Sequence, residues 1–157
     1  MVARDLLGKF LVRKVGGKEL ALMITEVEAY DGLEDKASHA SRGRTARNLP
    51  MFGPAGRWYV YLVYGNHFML NIVTGDKDYP AAVLLRGVEG VNGPGRLTKQ
   101  FRVAKSFNNK PANKKIGLWL EDRGVKIKRK EIKTGPRIGV AYAGPRWASK
   151  PYRFYLS

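Results

Sequence analysis

The chain has 157 residues, 44% of them hydrophobic, with 29 Lys and Arg against 13 Asp and Glu and a formal net charge of +16. That length suits one domain with a real core, and so large a cationic excess points to a polyanionic partner. No cysteine is present and only two histidines, His39 and His67, which excludes disulfides, thiol catalysis and Cys-ligated zinc and argues against a His-rich metal site.

The chain opens on a short helical pattern over residues 3–8, ended by Gly8. Two strand patterns follow, Lys9–Arg13 and Leu20–Thr25, on either side of Gly16-Gly17, a hairpin signal. The second strand continues through Tyr30. Alternation places Glu26, Glu28 and Tyr30 on one face. Two carboxylates on a strand face can simply meet solvent, or a Glu beside a Tyr can serve as a general base.

Residues 31–56 read as irregular. Ser41–Asn48 sets Arg42, Arg44 and Arg47 near small residues and a hydroxyl, a composition that suits either phosphate binding or a solvated loop. Pro50, Gly53, Pro54 and Gly56 then break the chain. From Arg57 to Val73, two apolar runs flank Tyr64-Gly65-Asn66, the pattern of a second hairpin with a buried base. A three-residue loop centred on Asn66 would set Tyr61 opposite Asn71; a two-residue loop would set Asn71 opposite Val60. Tyr64 at the tip either packs over its own turn or projects as a wedge between bases.

Ala81–Val88 is a buried-strand pattern interrupted by Arg86, whose charge demands a partner such as Glu28. Gly93–Lys99 opens a short helix carrying Arg96, Lys99 and Arg102, without the spacing of a nucleotide-binding loop. Residues 117–121, 125–128, 137–142 and 153–156 read as further strands, the second with a row of lysines. Residues 1–90 carry 12 basic and 10 acidic side chains; residues 91–157 carry 17 and 3. The second part is thus the cationic one. An anionic membrane would compete as partner, but no basic helix with a broad apolar face is present in the pattern. No signal peptide and no apolar run near 18 residues is recognisable, so a soluble chain without membrane attachment is expected.

Several short motifs recur in a single order: Thr25-Glu26-Val27-Glu28-Ala29-Tyr30, Met51-Phe52, Tyr59-Val60-Tyr61-Leu62-Val63-Tyr64-Gly65, Asn71-Ile72, Val83-Leu84-Leu85-Arg86, Gly93-Pro94-Gly95-Arg96-Leu97, Arg137-Ile138-Gly139-Val140 and Lys150-Pro151 with Arg153-Phe154-Tyr155. Together they span nearly the whole chain, which resembles the alkyladenine (3-methyladenine) DNA glycosylase family. The resemblance implies a single mixed α/β (α+β) domain over residues 1–157, with an antiparallel, partly barrel-like sheet, flanking helices and a protruding hairpin. It implies a monofunctional glycosylase that removes damaged purines from double-stranded DNA without metal or cofactor. A monomer is the simplest expectation for lesion search, and the lack of cysteine fits a place inside the cell (nucleoid or cytoplasm in a prokaryote, nucleus in a eukaryote).

Position by position, the resemblance gives Glu28 the activation of the attacking water, with Arg86 and the Ile138 carbonyl also holding it. Tyr30 and Tyr61 match walls that sandwich the flipped base, with Ala37 and His39 also in the base pocket. Asn71 matches the side chain that crowds the guanine amino group, and Tyr64 the residue that fills the gap in the DNA. Arg44, Thr45, Arg47, Arg96, Lys99 and Arg137 are the expected phosphate contacts. The rival expectation is a catalytically inactive basic module binding DNA or structured RNA through the same pocket.

Overall fold

A computed structural model describes residues 1–63 and 66–157. Helix α1 (Val2–Leu6) leads into β1 (Phe10–Val15) and the long β2 (Lys18–Asp31). Val15 pairs with Lys18, so Gly16 and Gly17 alone make the turn. Both have positive φ, +56° and +79°, as the right-handed twist of a two-residue hairpin requires.

At 14 residues, β2 has room for several neighbours. β1 lies along residues 18–23, β9 (Arg153–Leu156) along residues 26–28, and β5 (Ala81–Val88) runs along the opposite edge from residue 24 to 31. Beyond β5 come β4 (His67–Val73) and β3 (Trp58–Val63). The small β6 (Val91–Asn92), β7 (Leu118–Glu121) and β8 (Ile132–Gly135) pair with β5, β1 and β9 respectively. The result is one nine-stranded antiparallel sheet with a few helices, a mixed α/β architecture in which the strands do not close into a barrel.

Period-two alternation divides the sheet into two faces. Val27, Trp58, Val60, Leu70, Ile72, Val83 and Leu85 point to one side. There they pack with Leu97 and Phe101 of α2 (Pro94–Gln100) and with Phe107, Leu118 and Phe154. Trp58 is fully buried, and its indole N–H donates to the Leu118 carbonyl at 3.1 Å. The opposite face carries Glu26, Glu28, Tyr30, Tyr59, Tyr61, Asn71, Leu84 and Arg86. It is roofed by the irregular segment 32–56 and by residues 136–148, which include α3 (Gly144–Ala148). Among the described residues, no helix is long and apolar enough to cross a membrane.

Three expectations are corrected. Val63 pairs with His67 and Tyr59 with Asn71, so the strand register matches neither expected loop, and Tyr61 faces Met69. The slip is two residues in pairing, an even number, so Tyr61 and Asn71 still share a face. Residues 125–128 alternate apolar and Lys but form no strand. Ile127 packs against Gly8, and the Lys128 N–H donates to the Glu131 carboxylate at 2.7 Å, not to a neighbouring strand. Residues 137–142 form no strand either, because Gly139 turns at φ +75° and residues 141–143 wind into a 3-10 turn. The distal hairpin, 60–63 with 67–70, extends beyond its pairing with β5, and there α2 covers it: Val60 and Leu70 are buried and the Thr98 hydroxyl donates to the Phe68 carbonyl at 2.8 Å.

Candidate active site

An open cleft of about 1020 Å³ lies on the roofed face of the sheet, lined by Glu28, Tyr30, His39, Tyr61, Arg86 and Ile138 among others. β2 supplies Glu28 and Tyr30, β3 supplies Tyr61, β5 supplies Arg86, and the two roof segments supply His39 and Ile138. A deeper recess of about 40 Å³ is bounded by Tyr30, Ala37, His39, Tyr59, Tyr61 and Asn71, with Tyr142 across it.

Glu28 is the chemical centre. Its side chain has no solvent exposure. One carboxylate oxygen accepts the Tyr30 hydroxyl at 2.9 Å, and the other accepts the Ile138 N–H at 2.7 Å and lies 3.6 Å from the Arg86 Nε. Burial raises its proton affinity; Arg86, the Ile138 N–H, the Tyr30 hydroxyl and Arg137 all pull the other way. Burial wins, so the carboxyl titrates above the ordinary carboxylate range. A carboxylate held this way is a stronger base than a solvated one.

Arg86 is shared. It lies 3.3 Å from Glu26, nearer than to Glu28, and Glu26 also meets Arg153 at 3.3 Å. The strand-face trio of Glu26, Glu28 and Tyr30 is therefore not a solvated row but part of an alternating chain of charges, Arg153–Glu26–Arg86–Glu28. The Ile138 N–H is the group of that residue that meets the carboxylate.

The aromatic groups converge beside it. His39 sits edge-on to Tyr61 with ring centroids 4.5 Å apart, and its Nδ1 lies 3.0 Å from the Tyr59 hydroxyl. Burial and the nearby Arg47 and Arg42 disfavour the imidazolium, so His39 is neutral at pH 7. Burial pushes the Tyr61 phenol up to about 12. Asn71 is buried and donates to the Tyr59 carbonyl at 3.2 Å. Tyr142, unremarked in the sequence, donates to the Ala37 carbonyl at 2.7 Å and so bridges the two roof segments.

The expected phosphate contacts scatter. Arg47 lies over the Tyr61 ring and donates to the Leu62 carbonyl, at the cleft rim. Thr45 also lines the rim, where it exchanges hydrogen bonds with Asn48. Arg44 is exposed and paired with Asp78. Arg96 and Lys99 are exposed on α2, which covers the other face of the sheet.

Arg137 departs from the expectation. Its guanidinium is buried and bidentate to Asp35 at 2.6 and 2.9 Å, so it has no surface to offer a phosphate. Asp35 is the residue that sequence reasoning missed. Its pairing with a residue 102 positions away carries no local signal. Tyr64, the expected wedge, lies outside the described residues. Among the described residues, no group of three or more His, Cys, Asp or Glu could hold a metal ion.

A model of the methylpurine-DNA glycosylase family matches residues 1–92 and 90–157. A protein of Anaeromyxobacter dehalogenans strain 2CP-C is 44% identical over 162 residues, covering 99% of this chain and 77% of its own. One from Methanocella arvoryzae is 44% identical over 174 residues, covering 98% and 85%, and one from Borreliella afzelii is 41% identical over 167 residues, covering 99% and 89%. All three carry the name "Putative 3-methyladenine DNA glycosylase". With both family matches together spanning the chain, it belongs to the methylpurine-DNA glycosylase family.

Proposed function

We propose that this chain is a monofunctional DNA glycosylase that flips damaged purines out of duplex DNA and hydrolyses the N-glycosidic bond with a Glu28-activated water. The observation that carries this reading is a buried carboxylate of raised proton affinity facing a cleft walled by Tyr30, Tyr61 and His39.

The chemistry follows from the substrate. A base within a duplex is out of reach, so the nucleotide is extruded at a cost of a few kcal/mol. Cleavage passes through an oxocarbenium-like sugar. A nearby carboxylate stabilises that charge and takes a proton from water on the face opposite the leaving base, as in inverting glycosidases. An alkylated purine is cationic and leaves readily, so it needs little acid assistance. Tyr rings favour such a cation over a neutral base. Asn71, fixed on the recess floor, rejects guanine by crowding its amino group rather than by attracting a lesion. Arg47 and Thr45 on the rim hold phosphates, as do the exposed cations of the second half.

Single-turnover release of hypoxanthine or ethenoadenine from duplex oligonucleotides, with methylated DNA alongside, tests the proposal. Tight duplex binding without release of any base would leave a binding module instead. A preference for structured RNA would point away from DNA repair altogether.

Two further results are expected. Activity requires ionised Glu28, so it falls as pH drops through the raised Glu28 value, giving an acid limb above the ordinary carboxylate range. Tyr30→Phe removes a hydrogen bond that favours the carboxylate and moves that limb to higher pH; an unmoved limb contradicts the contact's role. Lys126, Lys128, Lys130 and Lys133 are exposed. If they meet phosphate, each one replaced flattens the log–log salt dependence of duplex binding by about 0.9.

A further inference from the structure

We propose that Asp35 and Arg137 are a positioning pair that holds the Ile138 amide against Glu28. The inference rests on the reading of Glu28 as the reacting carboxylate, but its geometry stands without that reading.

Residues 136–140 belong to no helix or strand, so no ladder fixes the Ile138 N–H. Ile138 itself is 52% exposed, and no burial of its side chain holds it in place. The anchor is the preceding residue. Arg137 bonds Asp35 through both terminal nitrogens, and adds the Ala29 carbonyl at 3.0 Å and the Trp147 carbonyl at 3.3 Å. Its guanidinium also lies over the rings of Tyr30 and Tyr152, 4.8 and 5.0 Å from their centroids.

Asp35 is bound equally well. One oxygen accepts the Asp31 N–H and the other the Ala37 N–H, both at 3.1 Å. The pair therefore joins the three segments that build the site: the end of β2 beyond Glu28 and Tyr30, the turn leading to Ala37 and His39, and the loop with Ile138. A bidentate, stacked Arg has one geometry, which a Lys could not reproduce. Fixing Arg137 fixes the peptide that follows it, and that peptide's N–H is 2.7 Å from the carboxylate.

Other groups also face Glu28: Tyr30 and, through Arg86, Glu26 on β2, Arg86 on β5, Tyr61 on β3, and Tyr142 and Arg137 on the roof, with Arg153 on β9 behind Glu26. Of these, Arg137 alone is the immediate chain neighbour of Ile138; Tyr142 tethers the same loop four residues on through the Ala37 carbonyl, and Arg153 holds its start through the Pro136 carbonyl at 2.9 Å.

The test is NMR titration of the Glu28 side-chain carboxyl and the Ile138 amide, with Glu28→Gln used for assignment. In the wild type, the Ile138 amide shift should follow the Glu28 titration; an independent curve would overturn the proposal, whatever any variant does. In Asp35→Asn, the Ile138 amide should exchange about tenfold faster, as expected for losing a hydrogen bond to a charged group. The Glu28 midpoint should rise. Loss of the Asp35 charge by itself would lower that midpoint, so a rise reports the lost amide contact rather than the altered field.

Asp35→Asn leaves a buried cation unpaired. Asp35→Leu with Arg137→Met therefore provides a second variant with a better chance of folding, because an apolar pair of similar volume often replaces a buried ion pair without loss. It too should show the fast-exchanging Ile138 amide. A folded variant with wild-type exchange at Ile138 would reduce the pair to a structural staple. None of these readouts uses base release, so failure of the glycosylase reading would be seen separately, as absence of release from the wild type.

Discussion

Glu28→Gln should lower the single-turnover rate of base release by roughly 10²–10⁴-fold, the usual contribution of a positioned general base, while duplex affinity stays nearly unchanged. The amide has the size of the carboxylate but cannot take a proton from water, and it carries no charge to oppose that on the sugar. The surroundings sharpen the expectation. Three donors converge on this carboxylate: the Tyr30 hydroxyl, the Ile138 N–H and the Arg86 guanidinium. A Gln can keep its oxygen on the Ile138 N–H and turn its NH₂ to the Tyr30 hydroxyl, which can accept, but it loses the charge that meets Arg86, so a stability loss of about 1–3 kcal/mol accompanies the substitution. Thermal denaturation separates the two effects. A folded Glu28→Gln protein that releases base at the wild-type rate would remove Glu28 from the chemistry.

The largest expected effect on stability is at Arg137 or Asp35. Replacing either by Ala should cost about 3–5 kcal/mol, because the surviving partner is left as a buried, uncompensated charge. Against a typical total of about 5–15 kcal/mol, that is enough to leave a marginal fold largely unfolded at physiological temperature. Urea denaturation of the two single variants and the Asp35→Leu, Arg137→Met double variant measures it. The double variant should recover most of the loss. A single variant within about 0.5 kcal/mol of wild type would mean that water reaches the pair, contrary to its complete burial.

The corrected role of Arg137 changes the account of the cationic half. Its charge belongs to the interior, and Arg123 of the same half is paired on the surface with Glu19 and Glu121, as Arg44 of the first part is with Asp78. Exposed pairs of this kind are weak, so they can exchange a carboxylate for a phosphate at little cost. A buried bidentate pair cannot. Counting Arg and Lys in a sequence therefore overstates the charge available to a polyanion.

What the sequence determined by itself is local and periodic. The alternation of Trp58 and Val60 against Tyr59 and Tyr61, of Leu70 and Ile72 against Asn71, and of Val83 and Leu85 against Leu84 and Arg86 assigns each side chain to a sheet face. A period of two needs no partner to be read. Gly16-Gly17 marks its turn because only glycine adopts two successive positive φ values readily. Glu28 and Arg86 were also legible, since a charge within a buried strand demands compensation. The structure supplied Glu26 as the nearer partner, which alternation alone could not rank.

Tertiary structure decided the rest. Hairpin register depends on how the loop closes, and the even slip preserved the face while changing the pairs. Residues 125–128 and 137–142 have strand-like patterns, yet a strand exists only where another strand offers its backbone. The site's central staple, Asp35 with Arg137, links positions 102 apart. Each looks like an ordinary surface charge in the sequence. Only folding shows that the roof closes over both and pairs each with the other, because burial and charge pairing are properties of contacts that no stretch of chain contains alone.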